Sequence, residues 1–180
     1  MDPAPTIQIR PASTLDAEQI ARINIDVWRS TYEGIIDRAV LDTMALGDYI
    51  AKWQRILTPE IPERRWCFVA TLGTDVIGYV SAGTNDDNDG YGAVLYALYL
   101  RPEYHGLGVG KLLWQTMMHA FEERGVSSFK LYVLTANKLG RRFYDRYRPD
   151  VCQEADFHLD GAVYCDMLYG WNDVSHALAE

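Results

Sequence analysis

Cysteine is scarce in this 180-residue chain. The three present, Cys67, Cys152 and Cys165, are odd in number and lack metal-ligand spacing. That excludes a disulfide framework and a cysteine metal site, and reads as reduced thiols in a cytosolic protein. Long apolar runs are missing too. None approaches the ~18 residues that a membrane helix needs. The opening Met1-Asp2-Pro3-Ala4-Pro5 has neither a basic nor an apolar leader region, so a cytoplasmic location is expected. Basic residues are few, 17 against 25 acidic, for a net charge of −8. A nucleic-acid binder should carry a basic footprint, so that class is set aside. No repeat recurs, and no Pro-, Gly- or Ser-rich linker divides the chain, which reads as one domain over 1–180 with a core of about 7–170.

What is present is uneven. Residues 1–100 hold 8 basic and 14 acidic residues, net −6; residues 101–150 hold 9 and 5, net +4; residues 151–180 hold none and 6, net −6. One basic block inside an acidic chain points to an anionic ligand, although helix-end cations give the same pattern. Hydrophobic residues at 48% and charged residues at 23% are ordinary for a globular domain. Alternation predicts a strand at 7–10. Capping residues followed by Ile20, Ile23 and Val27 predict a helix over 14–29, with two short helices before Pro59 and Pro62. Strands follow at 66–70 and 76–80 around Gly73-Thr74-Asp75, and at 93–100, a run too apolar for a wet face. A helix over 108–124 carries Leu113, Met117 and Phe121 on one side. Then come a strand at 129–134, a helix over 137–147 with Leu139, Phe143 and Tyr147 in a stripe, and strands near 151–158 and 162–169 joined by Asp160-Gly161. The fold class expected is α/β around one sheet.

The richest segment runs from Leu98 through Pro102 and His105-Gly106-Leu107-Gly108-Val109-Gly110-Lys111. A buried strand passes through a glycine-rich turn into a helix. Alternate glycines let the backbone turn tightly, and the helix's first N–H groups then face an anion. The same glycines could serve the turn geometry alone. A Walker A loop would need glycine at His105 and a hydroxyl at Leu112. A dinucleotide fingerprint would need glycine at Lys111. Neither is met.

The segment resembles the acyl-CoA loop of the GNAT N-acetyltransferases, Arg/Gln-x-x-Gly-x-Gly/Ala after a strand ending in proline. His105 stands where the family has Arg or Gln, which weakens the first pyrophosphate contact and leaves the backbone cradle. Val133-Leu134-Thr135-Ala136-Asn137 and Arg142-Phe143-Tyr144 are similar to the family's second cofactor segment. Trp28-Arg29-Ser30-Thr31-Tyr32-Glu33-Gly34 is similar to the acceptor-side helix of one bacterial branch. Arg146-Tyr147-Arg148-Pro149 departs from the usual Gly-Phe or Gly-Trp, so a different link to the last two strands is expected. The resemblance implies a mixed, mostly antiparallel central sheet of about seven strands flanked by helices, whose two central strands splay to admit the pantetheine arm.

It also implies acetyl-CoA as cosubstrate, an amine acceptor and no metal. Backbone groups at Leu98 and Leu100 would pair with the pantetheine, and His105, Gly106, Leu107, Gly108, Val109, Gly110 and Lys111 would hold the pyrophosphate. Asn137 would contact the pantetheine and Tyr144 would protonate the departing thiolate. Asn137 and Tyr144 lie seven apart, within about 20° on one helix face. Read from the residues alone, Asn137 is equally a helix N-cap and Tyr144 a core tyrosine. Trp28, Tyr32, Glu33 and Tyr96 are candidates for the acceptor pocket. Glu33, Asp86 and Asp87 are candidate bases. His119 and His158 read as structural. The acidic flanking segments, with Glu154 and Asp156, favour a small amine or a peptide amine over an acidic acceptor. An acyl-CoA-binding sensor without turnover stays open as the alternative, and so does the oligomeric state, a homodimer among the options.

Overall fold

The computed structural model describes residues 6–58 and 64–178. Met1–Pro5, Pro59 and Pro62 lie outside the described residues. The strands are β1 (Ile7–Pro11), β2 (Arg65–Leu72), β3 (Asp75–Thr84), β4 (Ala93–Leu100), β5 (Phe129–Leu134), β6 (Val151–Leu159) and β7 (Ala162–Trp171). The helices are α1 (Ala17–Tyr32), α2 (Arg38–Asp42), α3 (Leu46–Ile56), α4 (Val109–Glu123) and α5 (Lys138–Asp145). They form a mixed seven-stranded sheet, ordered β1-β2-β3-β4-β5-β7-β6, flanked by helices. The β4–β5 ladder is parallel, while β1–β2, β5–β7 and β6–β7 are antiparallel. None of the described helices is long and apolar enough to cross a membrane.

The chain packs as two compact units, Met1–Ala82 with Ala97–Met117, and Gly83–Tyr96 with Met118–Glu180. In the first, Ile20, Ala21 and Ile23 of α1 pack with Trp53, Val69, Val76 and Tyr79. The Trp53 and Tyr79 rings meet edge-on at 5.1 Å, and Asn24 Nδ2 donates to the Tyr79 hydroxyl at 2.6 Å. The start of α1 is fixed by Asp16, which accepts both Arg10 Nη atoms at 2.7 and 2.8 Å and the Ser13 N–H at 2.8 Å. A one-turn 3-10 helix over Thr14–Asp16 precedes α1, so the expected 14–29 helix is displaced toward Tyr32. Gly78 is the residue the sequence pattern did not single out. A Cβ there would lie 2.6 Å from Leu100 Cδ1 and 2.9 Å from the Tyr99 carbonyl, so only glycine lets β4 pass this close.

In the second unit, Phe129 stacks on Trp171 at 4.7 Å, and Phe121 closes over Phe129 at 5.2 Å. The Trp171 indole donates to the Tyr147 carbonyl at 2.7 Å. Asp160 and Gly161 both have positive φ, 50° and 78°, as a two-residue turn between β6 and β7 requires. Gly170 lies under Tyr91, leaving no room for a side chain. Two expectations need correction. Tyr96 leaves 44% of its surface exposed, so β4 does have a wet side where its pairing with β5 has ended. Leu139 is 65% exposed and leaves the expected stripe, while Tyr147 is buried as expected and Tyr144 of α5 is buried as well. Phe143 is half-buried, and Tyr144 turns inward where its ring meets Tyr169.

Candidate active site

Beyond Leu100, one 3-10 turn over Pro102–Tyr104 leads into Gly106 and Gly108, with φ of 77° and 81°. L side chains avoid that region, so both positions require glycine. Apart from the adjoining residues, no atom of the described residues lies within 4 Å of where a Cβ would stand at either glycine, so the space above the turn is open. The Gly108 carbonyl accepts the Leu112 N–H at 3.1 Å and begins α4. The first N–H groups of an α-helix have no intrahelical acceptor, so the turn ahead of Val109 meets the positive end of the α4 dipole. Val109 is fully buried and anchors the turn, Leu107 is exposed, and Lys111 is half-buried. The His105 ring places Nε2 3.1 Å from the Leu100 carbonyl. A carbonyl only accepts, so Nε2 carries the proton and the ring fastens the turn to the end of β4. Leu98, also on β4, is half-buried.

The other cofactor candidates lie on α5. Asn137 caps it, Oδ1 accepting the Gly140 N–H at 2.9 Å. Gly140 is glycine because a Cβ would sit 2.8 Å from Asn137 Nδ2. Both readings of Asn137 are therefore compatible, since capping uses Oδ1 and leaves Nδ2 able to donate. Tyr144 is 8% exposed and meets Phe143 edge-on at 5.3 Å. Beside it, Arg141 donates to the Thr135 carbonyl at 3.3 Å and to the Tyr169 hydroxyl at 3.5 Å, and Tyr169 donates to Asp145 at 2.9 Å. The Tyr169 contact raises the Arg141 pKa further, so that cation is spent on structure while Lys138 and Arg142 stay exposed.

The acceptor-side residues separate. Tyr32 is buried and meets Trp28 edge-on at 5.0 Å, while the Trp28 indole donates to the Tyr99 hydroxyl at 3.0 Å. Glu33 is exposed at the end of α1 and lines a cavity of about 670 Å³ with Asp26, Ser30, Asp37, Arg38 and Asp42. Asp87 and Asp89 are not loose loop charges. Lys130, whose side chain is 0% exposed, donates to them at 2.7 and 2.6 Å. Burial pulls the Lys130 pKa down, and the two carboxylates more than reverse it, so the ammonium stays charged. The signal was a lysine inside the apolar strand 129–134. His119 is exposed and faces Glu122 at 3.2 Å, and His158 is exposed on β6. Sequence reasoning missed Asp166, 7% exposed on β7. Burial alone pushes its carboxyl up to about 6. Its signal was an aspartate heading the apolar run 167–171.

A strand, a turn of left-handed glycines and an anion-ready helix end, within a mixed sheet of seven strands, make a site suited to an anionic ligand. Residues 32–148 match the acetyltransferase (GNAT) family, and the chain belongs to that family. It is 29% identical over 171 residues to a Bacillus subtilis (strain 168) protein named uncharacterized N-acetyltransferase YuaI, covering 94% of this chain and 95% of that one. It is 25% identical over 143 residues to the spermidine N(1)-acetyltransferase of Thermoplasma acidophilum, covering 77% and 85%. Among solved structures, the PaiA N-acetyltransferase of Thermoplasma acidophilum in complex with coenzyme A superposes with a TM-score of 0.72 at 23% identity, over 92% of this chain and 99% of that one. The protein is thus an N-acetyltransferase by family and by fold.

Proposed function

We propose that the chain, acting as a single domain, transfers an acetyl group from acetyl-CoA to a small amine or a peptide amine. The observation that carries this reading is the pair of left-handed glycines, open above, that leads into the N-terminus of α4. The first N–H groups of a helix and the helix dipole suit a pyrophosphate. His105 braces the turn from below and the half-buried Lys111 adds charge in its first helical turn. Leu98 and Leu100 offer backbone groups to the pantetheine amides, and Asn137 offers Nδ2. The amine nitrogen bonds to the thioester carbonyl carbon. The carbon–sulfur bond breaks with its electron pair on sulfur, Tyr144 gives its hydroxyl proton to that sulfur, the amine's surplus proton passes to solvent, and the tyrosinate takes a proton back from solvent. A relative named for acetylating spermidine supports an amine acceptor.

Tyr144→Phe tests the reading. Calorimetry should find acetyl-CoA binding unchanged, while kcat falls by roughly tenfold or more. An unchanged kcat would return Tyr144 to the core. Acetyl-CoA binding by the wild type without transfer to any of a panel of amines would leave a binding module in place of an enzyme.

A further inference from the structure

Register places a second set of residues on one face of the second unit. The β5–β7–β6 ladders align Tyr132, Leu168 and Gln153 in one row, and Leu134, Asp166 and Ala155 in the next. Residues opposite one another in a ladder share a face, and Tyr132 and Asp166 are diagonal neighbours on it. Tyr164, two positions before Asp166, is on the same face, half-buried, with its ring against Phe157 at 6.3 Å. Tyr96 of β4 stands one step past the last β4–β5 pair, next to Tyr132 in register. Tyr96 and Tyr132 are each 44% exposed. The opposite face carries Phe129, Tyr169 and Trp171, which pack with α4 and α5. Open tyrosine rings therefore flank a buried carboxylate.

That carboxylate receives no hydrogen bond or ion pair from the described residues. The Cys165 thiol reaches the Asp166 main-chain carbonyl and not its side chain. Lys130, two rows away, already holds Asp87 and Asp89. A buried carboxylate without a partner is a cost to the folded protein, and an arriving ammonium removes it. Tyrosine faces attract cations as well, and Tyr132 already has the Lys130 ammonium 5.5 Å from its ring centre.

We propose that Asp166 anchors a protonated amine of the acceptor, with Tyr132 and Tyr96 as the aromatic wall beside it. The proposal rests on the acetyltransferase reading and sharpens it. An amine paired with a carboxylate stays protonated and cannot attack a thioester, so the nitrogen that reacts is a second one. The acceptor class is therefore a linear diamine or polyamine, held by one amine and acetylated on another.

The test uses the full chain with CoA present. Binding of 1,4-diaminobutane, 1,6-diaminohexane and spermidine is titrated by calorimetry against butylamine and hexylamine, for the wild type and for Asp166→Asn. The wild type should bind at least one di- or triamine about tenfold or more tightly than the matched monoamine, and Asp166→Asn should erase that advantage. In turnover the same substitution should raise KM for the diamine about tenfold and change kcat little, and Tyr132→Leu should raise KM about threefold. Thermal melting should show Asp166→Asn folded and no less stable. CoA titrated into the wild type is the separate control. Its failure removes the acetyltransferase reading itself. With CoA bound, equal binding of diamines and monoamines, no binding of any amine, or an unchanged Asp166→Asn overturns the proposal alone.

Discussion

The loop over 85–91 and the strand β7 both bring carboxylates to the same unit, and they treat them oppositely. In the loop, Asp87 and Asp89 are 72% and 38% exposed at their side chains, yet each holds the buried Lys130 ammonium. On β7, Asp166 is 7% exposed and has no cation among the described residues. The first arrangement puts charges in water and neutralises them. The second takes a charge out of water and leaves it without a counterion. The sequence reading ranks the loop acid Asp87 among the candidate bases and does not single out Asp166. The physics reverses the ranking, because a neutralised carboxylate has little left to offer a ligand.

The largest expected effect separates the two members of the loop pair. Asp87→Asn together with Asp89→Asn strands an ammonium with no exposure to water, and should cost about 3 kcal/mol in urea denaturation at pH 7. Lys130→Met returns two carboxylates to solvent and fills the strand with an apolar chain of similar length, so it should cost under about 1 kcal/mol. Equal losses from the two variants would mean that the pair, not the buried ammonium, sets the energy.

Asp16 offers the intermediate case. It is 4% exposed, like Asp166, and is paired, like Asp89. Arg10→Gln turns it into a second unpaired carboxylate that keeps only Ser13 as a partner. The expected loss is about 1.5 kcal/mol at pH 7, moderated by the 45% exposure of the Arg10 side chain. The Arg10 contact holds the Asp16 pKa below its ordinary 3.8. A lowered folded value means that the stabilisation is present above pH 3.8 and disappears as pH falls through the folded value. The gap between wild type and variant, followed by thermal melting, should therefore close in acid. A gap that persists unchanged at pH 2 would assign the effect to packing of the arginine stem.

How much of this was legible in the sequence depends on the range of the cause. Gly106, Gly108 and Asp160-Gly161 were readable because positive φ is a local demand that a single residue type announces. Asn137 was readable as a cap for the same reason, and the stripe of Leu113, Met117 and Phe121 because helical period alone buries it. The face of α5 was not, since which of Leu139 and Tyr144 turns inward depends on Tyr169 waiting on β7. Lys130 finds its carboxylates 43 and 41 residues earlier, and no local pattern encodes that closure. Asp166 was hidden most deeply, for its character is a partner it lacks.

The smallest expected effect concerns that missing partner. Burial raises the folded Asp166 carboxyl to about 6 from an ordinary 3.8. The folded protein therefore holds the proton more tightly than the unfolded chain does. Below about pH 4 both states are protonated and Asp166 costs nothing. As pH climbs from 4 to 6 the unfolded chain ionises first, so the wild type loses stability, and above 6 the loss is complete. Asp166→Asn has no such loss. It should be about 1 kcal/mol more stable than the wild type at pH 7, because some water still reaches the carboxylate, and equal to it at pH 4. This is the mirror image of Asp16, whose variant is the weaker one at neutral pH and matches the wild type only in acid. Melting both proteins across pH 4 to 8 checks it. No gain at pH 7, or a gain that grows toward acid, would show that Asp166 already has a counterion, and the contrast between the loop and β7 would fail.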